Sequence, residues 1–169
     1  MRIYLIGFMG VGKSKKGRKL ALRLGFQYID MDEWIEEKEK MTIPEIFKSK
    51  GESYFRQVEY EAVKFLSKVE SAVISTGGGS PCYFDAIELM NASGITIYLK
   101  GSPAFLLKRL KESKKKRPLI EALSSEELLN FITTKLDERA PFYEKAKFQI
   151  DALNCKAKDL VALIKSIQV

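Results

Sequence analysis

The residues Gly7 to Ser14 constrain most strongly what this 169-residue chain can fold into. They fit the pattern G-x-x-x-x-G-K-[ST] and directly follow the apolar run Ile3 to Ile6. Glycine adopts backbone conformations that are closed to other residues, so the loop can bring its N–H groups within reach of phosphate oxygens. We therefore predict a strand, a phosphate-binding loop and a helix in succession, against the alternative of a glycine-rich turn that fits the pattern by accident.

The residues of this loop have distinct predicted roles. The backbone of Gly10, Val11 and Gly12 surrounds the phosphates, and the Lys13 ammonium neutralises the β- and γ-phosphates. Ser14 opens the helix, where its hydroxyl can ligate Mg²⁺ and the helix N-terminus adds the positive end of its dipole. The loop predicts a bound nucleotide with Mg²⁺ and leaves the phosphate acceptor open.

The composition limits the class of protein and its chemistry. With 46% hydrophobic residues, the chain is predicted to form one globular domain over residues 1–169. No apolar run approaches the roughly 18 residues of a membrane span, so we expect a cytoplasmic protein with no membrane partner. The chain has no histidine, and Cys82 and Cys155 have no metal-binding spacing and are expected as free thiols. Catalysis must therefore use carboxylates, cations and a metal ion.

The formal net charge of +7 has two interpretations. It indicates either a nucleic-acid-binding surface or cations gathered for small anionic substrates, together with solvated lysines. Aromatic residues are not interleaved with the basic residues, as stacking platforms for bases would require. We therefore expect small-molecule substrates and no nucleic acid.

Strand and helix patterns alternate along the chain. Strands are predicted at residues 3–6, 26–29, 72–75, 95–99 and 148–150, and helices at 13–24, 42–50, 52–68, 85–93, 102–110 and 124–139. Gly51 and Pro141 are expected beyond the ends of their helices, and Asn154 is expected to cap a C-terminal helix. This alternation predicts an α/β fold, a parallel sheet with helices on both faces.

Two carboxylates follow the second predicted strand. Because strand side chains alternate, Asp30 and Asp32 are expected to point the same way, one toward the Mg²⁺ shell and the other toward a substrate hydroxyl. A helix-capping aspartate is an equally good interpretation.

Three further segments have both a functional and a simpler interpretation. Arg56 is either a surface charge on its helix or a binding residue, and Gly77 to Gly79 form either a tight turn or backbone that lies against a ligand. The basic run Lys111 to Pro118 is either a solvated loop or a lid whose arginine meets phosphates on closure.

In its motifs and their order, the chain closely resembles the shikimate kinases, relatives of the nucleoside monophosphate kinases. The resemblance covers essentially the full length and rests on six motifs, namely Gly7 to Ser14, Asp30 to Asp32, Ile46 to Glu59, Ser75 to Gly79, Arg117 to Leu119, and Arg139 with Pro141 and Tyr143. It implies a three-layer α/β/α P-loop kinase fold with a central parallel sheet of five strands. It also implies a substrate-binding region at about 31–60 and a mobile lid at about 111–123.

The resemblance also implies roles for individual residues on the nucleotide side. Lys13 and Ser14 would serve MgATP, Asp30 would hold a water on Mg²⁺, and Ser75 would stand near the metal. Arg109 would stack on adenine.

On the acceptor side, Asp32 would face the substrate hydroxyl, and Arg56 and Arg139 would clamp the shikimate carboxylate. The backbone at Gly77, Gly78 and Gly79 would line the ring, and Arg117 would swing in with the lid. A planar guanidinium matches a carboxylate through two parallel hydrogen bonds.

The predicted function is transfer of the ATP γ-phosphoryl group to the 3-hydroxyl of shikimate, which gives shikimate 3-phosphate and ADP in aromatic amino-acid biosynthesis. Lys13, Asp32 and Arg117 are the predicted catalytic residues of a monomeric enzyme. The alternatives are a kinase for another small polyol acid, such as gluconate, and a nonenzymatic module that binds nucleotide or nucleic acid.

One position departs from the family pattern. These kinases usually carry Thr or Ser after the Lys-Ser pair of the loop, but here Lys15 and Lys16 follow. We predict that Lys15 replaces the missing hydroxyl with a salt-sensitive contact to the α-phosphate, against the alternative that it points into solvent.

Overall fold

A computed structural model describes residues 1–113 and 120–167 of the chain. Its five strands form one sheet in the order β2-β3-β1-β4-β5, and every neighbouring pair is parallel. The strands are β1 Arg2–Ile6, β2 Gln27–Asp30, β3 Ala72–Ser75, β4 Ile95–Lys100 and β5 Phe148–Asp151. Each lies within one residue of its predicted bounds.

Helices connect the strands and cover both faces of the sheet. Those of the described residues are α1 Lys13–Leu24, α2 Met31–Glu39, α3 Ile43–Leu66, α4 Ala86–Ser93, α5 Pro103–Lys111, α6 Ser125–Tyr143 and α7 Ala157–Ile167, with a 3₁₀ turn at Ser80–Cys82. None of these helices has the length and apolar character needed to cross a membrane.

Alternation along the central strand divides the core in two. Ile3 and Leu5 of β1 pack in one cluster, mainly with α1, α5 and α7. Tyr4 and Ile6 pack in the other, with α2, α3 and α4. Because strand side chains point to opposite faces in turn, this run of apolar residues is buried on both sides of the sheet. The predicted three-layer fold is confirmed.

The chain after β2 differs from its prediction. Asp30 ends β2 and caps α2, its side chain accepting a hydrogen bond from the Asp32 backbone N–H. Asp32 therefore lies in the first turn of a helix and not on a strand, and the prediction from strand alternation was wrong. The capping interpretation was correct for Asp30, because a short carboxylate satisfies an N–H that a helix start leaves unpaired.

Three helix boundaries also differ. Gly51 does not end a helix but forms a kink inside α3, with φ 82° and ψ 173°, a backbone conformation that favours glycine. Pro141 lies inside α6, where the missing backbone N–H falls in the last turn of the helix. Asn154 does not cap α7, since its side chain donates to Asp151 while Asp159 accepts from the Lys156 N–H.

Candidate active site

The candidate site lies at the carboxyl ends of the three adjacent strands β2, β3 and β1. Asp30, Ser75 and Leu5 are register partners across these strands, so the segments that follow them leave the sheet side by side. Ligands of open α/β sheets bind at this edge. The register thus brings together the capping aspartate, the glycine triplet and the phosphate loop.

The phosphate loop has the backbone geometry that its glycines predict. Gly7, Gly10 and Gly12 have φ angles of 137°, 82° and 103°, a region that other residues rarely adopt. Lys13 is buried beneath the loop, and its ammonium donates to the carbonyl oxygens of Gly7 at 2.6 Å and Phe8 at 3.1 Å. The lysine is therefore held inside the curve of the loop.

Oxygen atoms from three elements meet beside the loop. The Ser14 hydroxyl donates to Asp30 Oδ2 at 2.9 Å, and the Tyr28 hydroxyl donates to the same oxygen at 3.1 Å. Ser75 Oγ is buried and makes no hydrogen bond to any described residue. Oxygen ligands suit a hard cation, and Mg²⁺ in kinases commonly takes only one or two carboxylates besides phosphate and water oxygens. The donor set fits Mg²⁺, and the described residues contain no group of three or more carboxylates, thiols or imidazoles that would form an all-protein cage.

The glycine triplet after β3 forms a narrow strip that the predicted acceptor residues surround. A Cβ atom built on Gly77 would lie 3.0 Å from Asp32 Oδ1, one on Gly78 would lie 3.1 Å from Arg139 Nη1, and one on Gly79 would lie 2.5 Å from Arg56 Nη1. The same atom on Gly78 would lie 3.6 Å from the Met9 N atom of the phosphate loop. Side chains are absent because these neighbours occupy the space.

Arg56 is fixed by carboxylates on its own helix. Its Nη1 donates to Glu59 Oε2 at 2.5 Å, and its Nη2 donates to Glu52 Oε1 at 3.0 Å. The Tyr83 ring lies against the guanidinium, 4.3 Å from its carbon atom, and the Tyr83 hydroxyl donates to Glu52. One orientation of the guanidinium is thus held from three sides.

Glu59 is the buried member of this cluster, with 3% of its surface exposed. Its Oε1 accepts a hydrogen bond of 2.6 Å from the Ser80 hydroxyl. Burial raises the pKa of the Glu59 carboxyl, and Arg56 and the Ser80 hydrogen bond act in the opposite direction. The carboxylate therefore depends on these two partners for its charge.

Tyr143 is hydrogen-bonded to the backbone of the glycine strip. Its hydroxyl donates to the Gly78 carbonyl at 2.5 Å, and burial raises the pKa of this phenol, so that it remains a donor. Arg139, one turn earlier in α6, also lies over the Phe8 ring at 5.5 Å. The arginine thus touches both the acceptor strip and the phosphate loop.

On the nucleotide side, Arg109 contacts the phosphate loop and Lys16 contacts the segment that follows β5. Arg109 Nε donates to the Gly10 carbonyl at 3.3 Å, and Lys16 Nζ donates to the Ala152 carbonyl at 3.1 Å. Lys15 is exposed on the first turn of α1. The predicted adenine residue therefore does lie beside the phosphate loop.

Two predictions concern residues outside this cluster. Arg117 lies outside the described residues, as do the other residues of 114–119 in the predicted lid. Both cysteines are free, and burial raises the pKa of Cys82 to about 11, so this thiol near the strip stays protonated at neutral pH. It is not available as a nucleophile.

Comparison with known proteins decides the family. The family model for shikimate kinase matches residues 9–168. The chain belongs to the shikimate kinase family. The shikimate kinase of Parabacteroides distasonis is 44% identical over 151 residues, which cover 89% of this chain and 87% of that protein.

Solved structures of the family agree in fold. The shikimate kinase from Bacteroides thetaiotaomicron has a TM-score of 0.93 and 37% identity, with 99% of this chain and 98% of that chain covered. The shikimate kinase from Acinetobacter baumannii in complex with shikimate has a TM-score of 0.84 and 35% identity, with 98% and 91% covered. The prediction of an ATP-dependent shikimate kinase is thereby confirmed at the level of the family.

Sequence reasoning gave no role to several residues of the site. Glu59 was visible as a charge one turn from Arg56, and that spacing was the available signal. Ser80 and Tyr83 reach the site through tertiary packing, and no local pattern marks them. Tyr143 belongs to the motif that contains Arg139, but the motif did not predict the contact of its hydroxyl with Gly78.

Proposed function

We propose that the chain transfers the γ-phosphoryl group of ATP to the 3-hydroxyl of shikimate, and that the residues named above do so in defined roles. A bond forms between the 3-oxygen and the γ-phosphorus, and the bond from that phosphorus to the β,γ-bridging oxygen breaks. The observation that carries the proposal is the strip Gly77–Gly79, which holds Asp32, Arg56 and Arg139 beside the phosphate loop. The bound shikimate in the Acinetobacter baumannii relative supports the choice of acceptor.

The nucleotide roles follow from the loop. The backbone N–H groups of Gly10, Val11 and Gly12 would bind the phosphates, for which the Val11 N–H would give up its 3.3 Å hydrogen bond to the Phe8 carbonyl. Lys13 would exchange its two carbonyl contacts for phosphate oxygens. Arg109, which donates to the Gly10 carbonyl, would stack on adenine. A loose transition state needs this positioning and charge neutralisation more than it needs a strong base.

The acceptor roles follow from the strip. Arg56 and Arg139 bind the carboxylate of shikimate, and the absence of side chains on the three glycines lets these arginines and Asp32 lie close to the strip, beside which the ring binds. Asp32 orients the 3-hydroxyl and receives its proton late in the reaction. Since Glu52 and Glu59 already fix Arg56, the binding geometry exists before the substrate arrives.

Mg²⁺ belongs to the proposal because the donor set fits it. Ser14 would hold the ion directly, Asp30 would hold it through a water, and Ser75 Oγ is a buried oxygen free to join its hydration shell. When bound, the ion neutralises charge on the phosphate oxygens.

Three further parts of the proposal concern the lid, the oligomeric state and the location. Arg117 is the catalytic cation of a lid at about 111–123, in a segment of which residues 114–119 lie outside the described residues. We also propose that the enzyme is a monomer. The cytoplasm, where ATP is abundant, is the proposed location.

Coupled ADP release with shikimate, gluconate and nucleoside monophosphates offered in parallel tests the proposal. We expect ADP release when shikimate is the acceptor and none with gluconate or the nucleoside monophosphates. Lys13→Ala should abolish this activity, which would show that it comes from the phosphate loop. Turnover only with gluconate or with a nucleoside monophosphate would contradict the proposed acceptor.

A further inference from the structure

A basic cleft of about 330 Å³ opens next to the phosphate loop, at Gly12. One wall is α1 with Lys15, Lys19 and Arg23, and the other is the start of α7 with Lys156 and Lys158. We call these five side chains and the space between them the basic cleft. It contains no carboxylate in its lining.

The cations of the α1 wall form a continuous line. Lys15, Lys19 and Arg23 are spaced four residues apart, so they lie on one face of the helix and span about 12 Å along its axis. All three are exposed, and none forms an ion pair with any residue that the structure describes. Like charges at this spacing destabilise an isolated helix, so the line has no evident structural benefit.

The nearest carboxylates at the α7 wall have other partners. Asp151 accepts hydrogen bonds from the Leu153 N–H and the Asn154 side chain, and Asp159 accepts from the Lys156 N–H. Deeper in the cleft, burial lowers the pKa of Lys16, and the nearby charges of Arg109 and Lys15 lower it further, against opposing effects of Cys155 and Asp151. No carboxylate of the described residues lines the cleft, so its lining as a whole is positively charged.

ATP accounts for only part of this charge. Its phosphates belong in the loop at one end of the cleft, and its uncharged adenosine moiety belongs beside Arg109, which also lines the cleft. Lys19 and Arg23 lie one and two turns farther along α1, beyond the first turn that faces the loop. A matching ligand carries negative charge along the whole line, and a flexible chain of phosphate groups has that charge at every unit.

We propose that the basic cleft binds linear inorganic polyphosphate, with one end in the phosphate loop and the chain lying along Lys15, Lys19 and Arg23. Polyphosphate then competes with ATP for the loop, and its length decides how much of the line it contacts. Binding does not depend on which acceptor the enzyme phosphorylates.

Isothermal titration calorimetry with linear polyphosphates of three, six and twelve units, at low ionic strength and without Mg²⁺, tests the proposal. We expect the Kd to fall about tenfold or more from three to six units and to change little beyond the length of the cleft. The gain should shrink in high salt, because the contacting charges are exposed. ADP should displace the polyphosphate.

The double variant Lys19→Ala/Arg23→Ala should lose the dependence on chain length while its Kd for ADP stays within about twofold. A matched control, Lys48→Ala/Lys165→Ala, removes two exposed cations that do not line the cleft and should retain the dependence. Both variants replace exposed helix residues with alanine, a good helix former, so both should fold. The proposal would be overturned if both double variants lost the dependence of Kd on chain length to the same extent. It would also be overturned if the unmodified protein bound longer polyphosphates no more tightly than shorter ones.

Discussion

The acceptor side and the nucleotide side of this site hold their charges in different ways. On the acceptor side, the Arg56 side chain is only 13% exposed and is paired with Glu52 and with the buried Glu59. On the nucleotide side, Lys15 is exposed and forms no ion pair with any part of the chain that the structure describes. The cation on the acceptor side is held by carboxylates of the protein, whereas the cation on the nucleotide side is exposed to solvent.

This difference matches the ligands that we propose for the two sides. A small rigid ring with one carboxylate benefits from arginines that are already oriented, since little side-chain freedom is then lost on binding. A flexible triphosphate is drawn by a positive field and by loop N–H groups, and contacts of exposed cations weaken with salt. Mutations on the acceptor side should therefore change one substrate's KM strongly, and those on the nucleotide side should change salt dependence more than affinity.

The largest expected effect is that of Arg139→Ala. An unpaired substrate carboxylate loses charged hydrogen bonding of about 1.5–3 kcal/mol, so the KM for shikimate should rise roughly 10- to 150-fold. The KM for ATP should stay within a few-fold. Steady-state kinetics with each substrate varied in turn measure both values.

Lys145→Ala is the matched control for this variant, because Lys145 pairs with Glu88 on an exposed surface away from the site. It should leave both KM values unchanged. A collapse of ATP affinity in Arg139→Ala, with shikimate affinity preserved, would show that the role of Arg139 is misassigned.

Glu59→Gln should have the next largest effect. The amide keeps the volume and one hydrogen bond but removes the charge that orients Arg56, so the KM for shikimate should rise about tenfold. Loss of the charged bond should also lower the free energy of unfolding by about 1–3 kcal/mol. Denaturant unfolding and shikimate kinetics on one preparation measure the two effects.

Glu61→Gln offers the contrast, since Glu61 pairs with Lys64 in an exposed i,i+3 contact on the same helix. If Glu59→Gln and Glu61→Gln behaved alike, the buried carboxylate would have no special role in orienting Arg56.

Gly79→Ala should weaken shikimate binding by a steric clash with Arg56. The backbone of Gly79 is αR, so alanine is tolerated conformationally, but its Cβ would lie 2.5 Å from Arg56 Nη1 and must displace it. We expect a several-fold rise in the KM for shikimate and no change for ATP. In an Arg56→Ala background the substitution should have almost no further effect, and additive effects would argue against the contact.

These predictions use residues that differ in how far sequence alone could identify them. The phosphate loop was predictable because its function resides in one continuous stretch after one strand. Helix α2 was missed because Met31 and Ile35 are its only buried residues, which leaves a mostly charged segment with little helical pattern. The spacing of Arg56 and Glu59 on one helix was the available signal for their ion pair.

Other parts of the site could not be predicted because they depend on packing between distant segments. Ser80 and Tyr83 follow β3 in sequence, and only the folded chain brings them onto α3. The basic cleft likewise joins α1 to the start of α7, about 140 residues later, and only the spacing of its α1 wall is visible in the sequence.

The smallest expected effect concerns Lys15, where the nucleotide side departs from the family pattern. Cations in the first turn of α1 oppose the helix dipole and should destabilise the empty protein by about 0.3–1 kcal/mol each at low salt. With a triphosphate bound, the same charge is favourable. Lys15→Thr should therefore raise the Tm of the empty protein by about 1–4 °C and reduce the further rise caused by MgADP.

Salt dependence distinguishes a contact with the α-phosphate from an exposed lysine without one. If Lys15 makes the contact, the KM for ATP should rise with salt in the unmodified enzyme and rise less steeply in Lys15→Thr, because the hydroxyl that replaces the ammonium is uncharged. Lys48→Thr, at an exposed position on α3, controls for the loss of one positive charge from the protein as a whole. Equal salt dependence of the KM for ATP in all three proteins would show that Lys15 points into solvent. The nucleotide side would then bind phosphate through the loop N–H groups and Lys13, groups that the protein holds in place, as it holds Arg56 on the acceptor side.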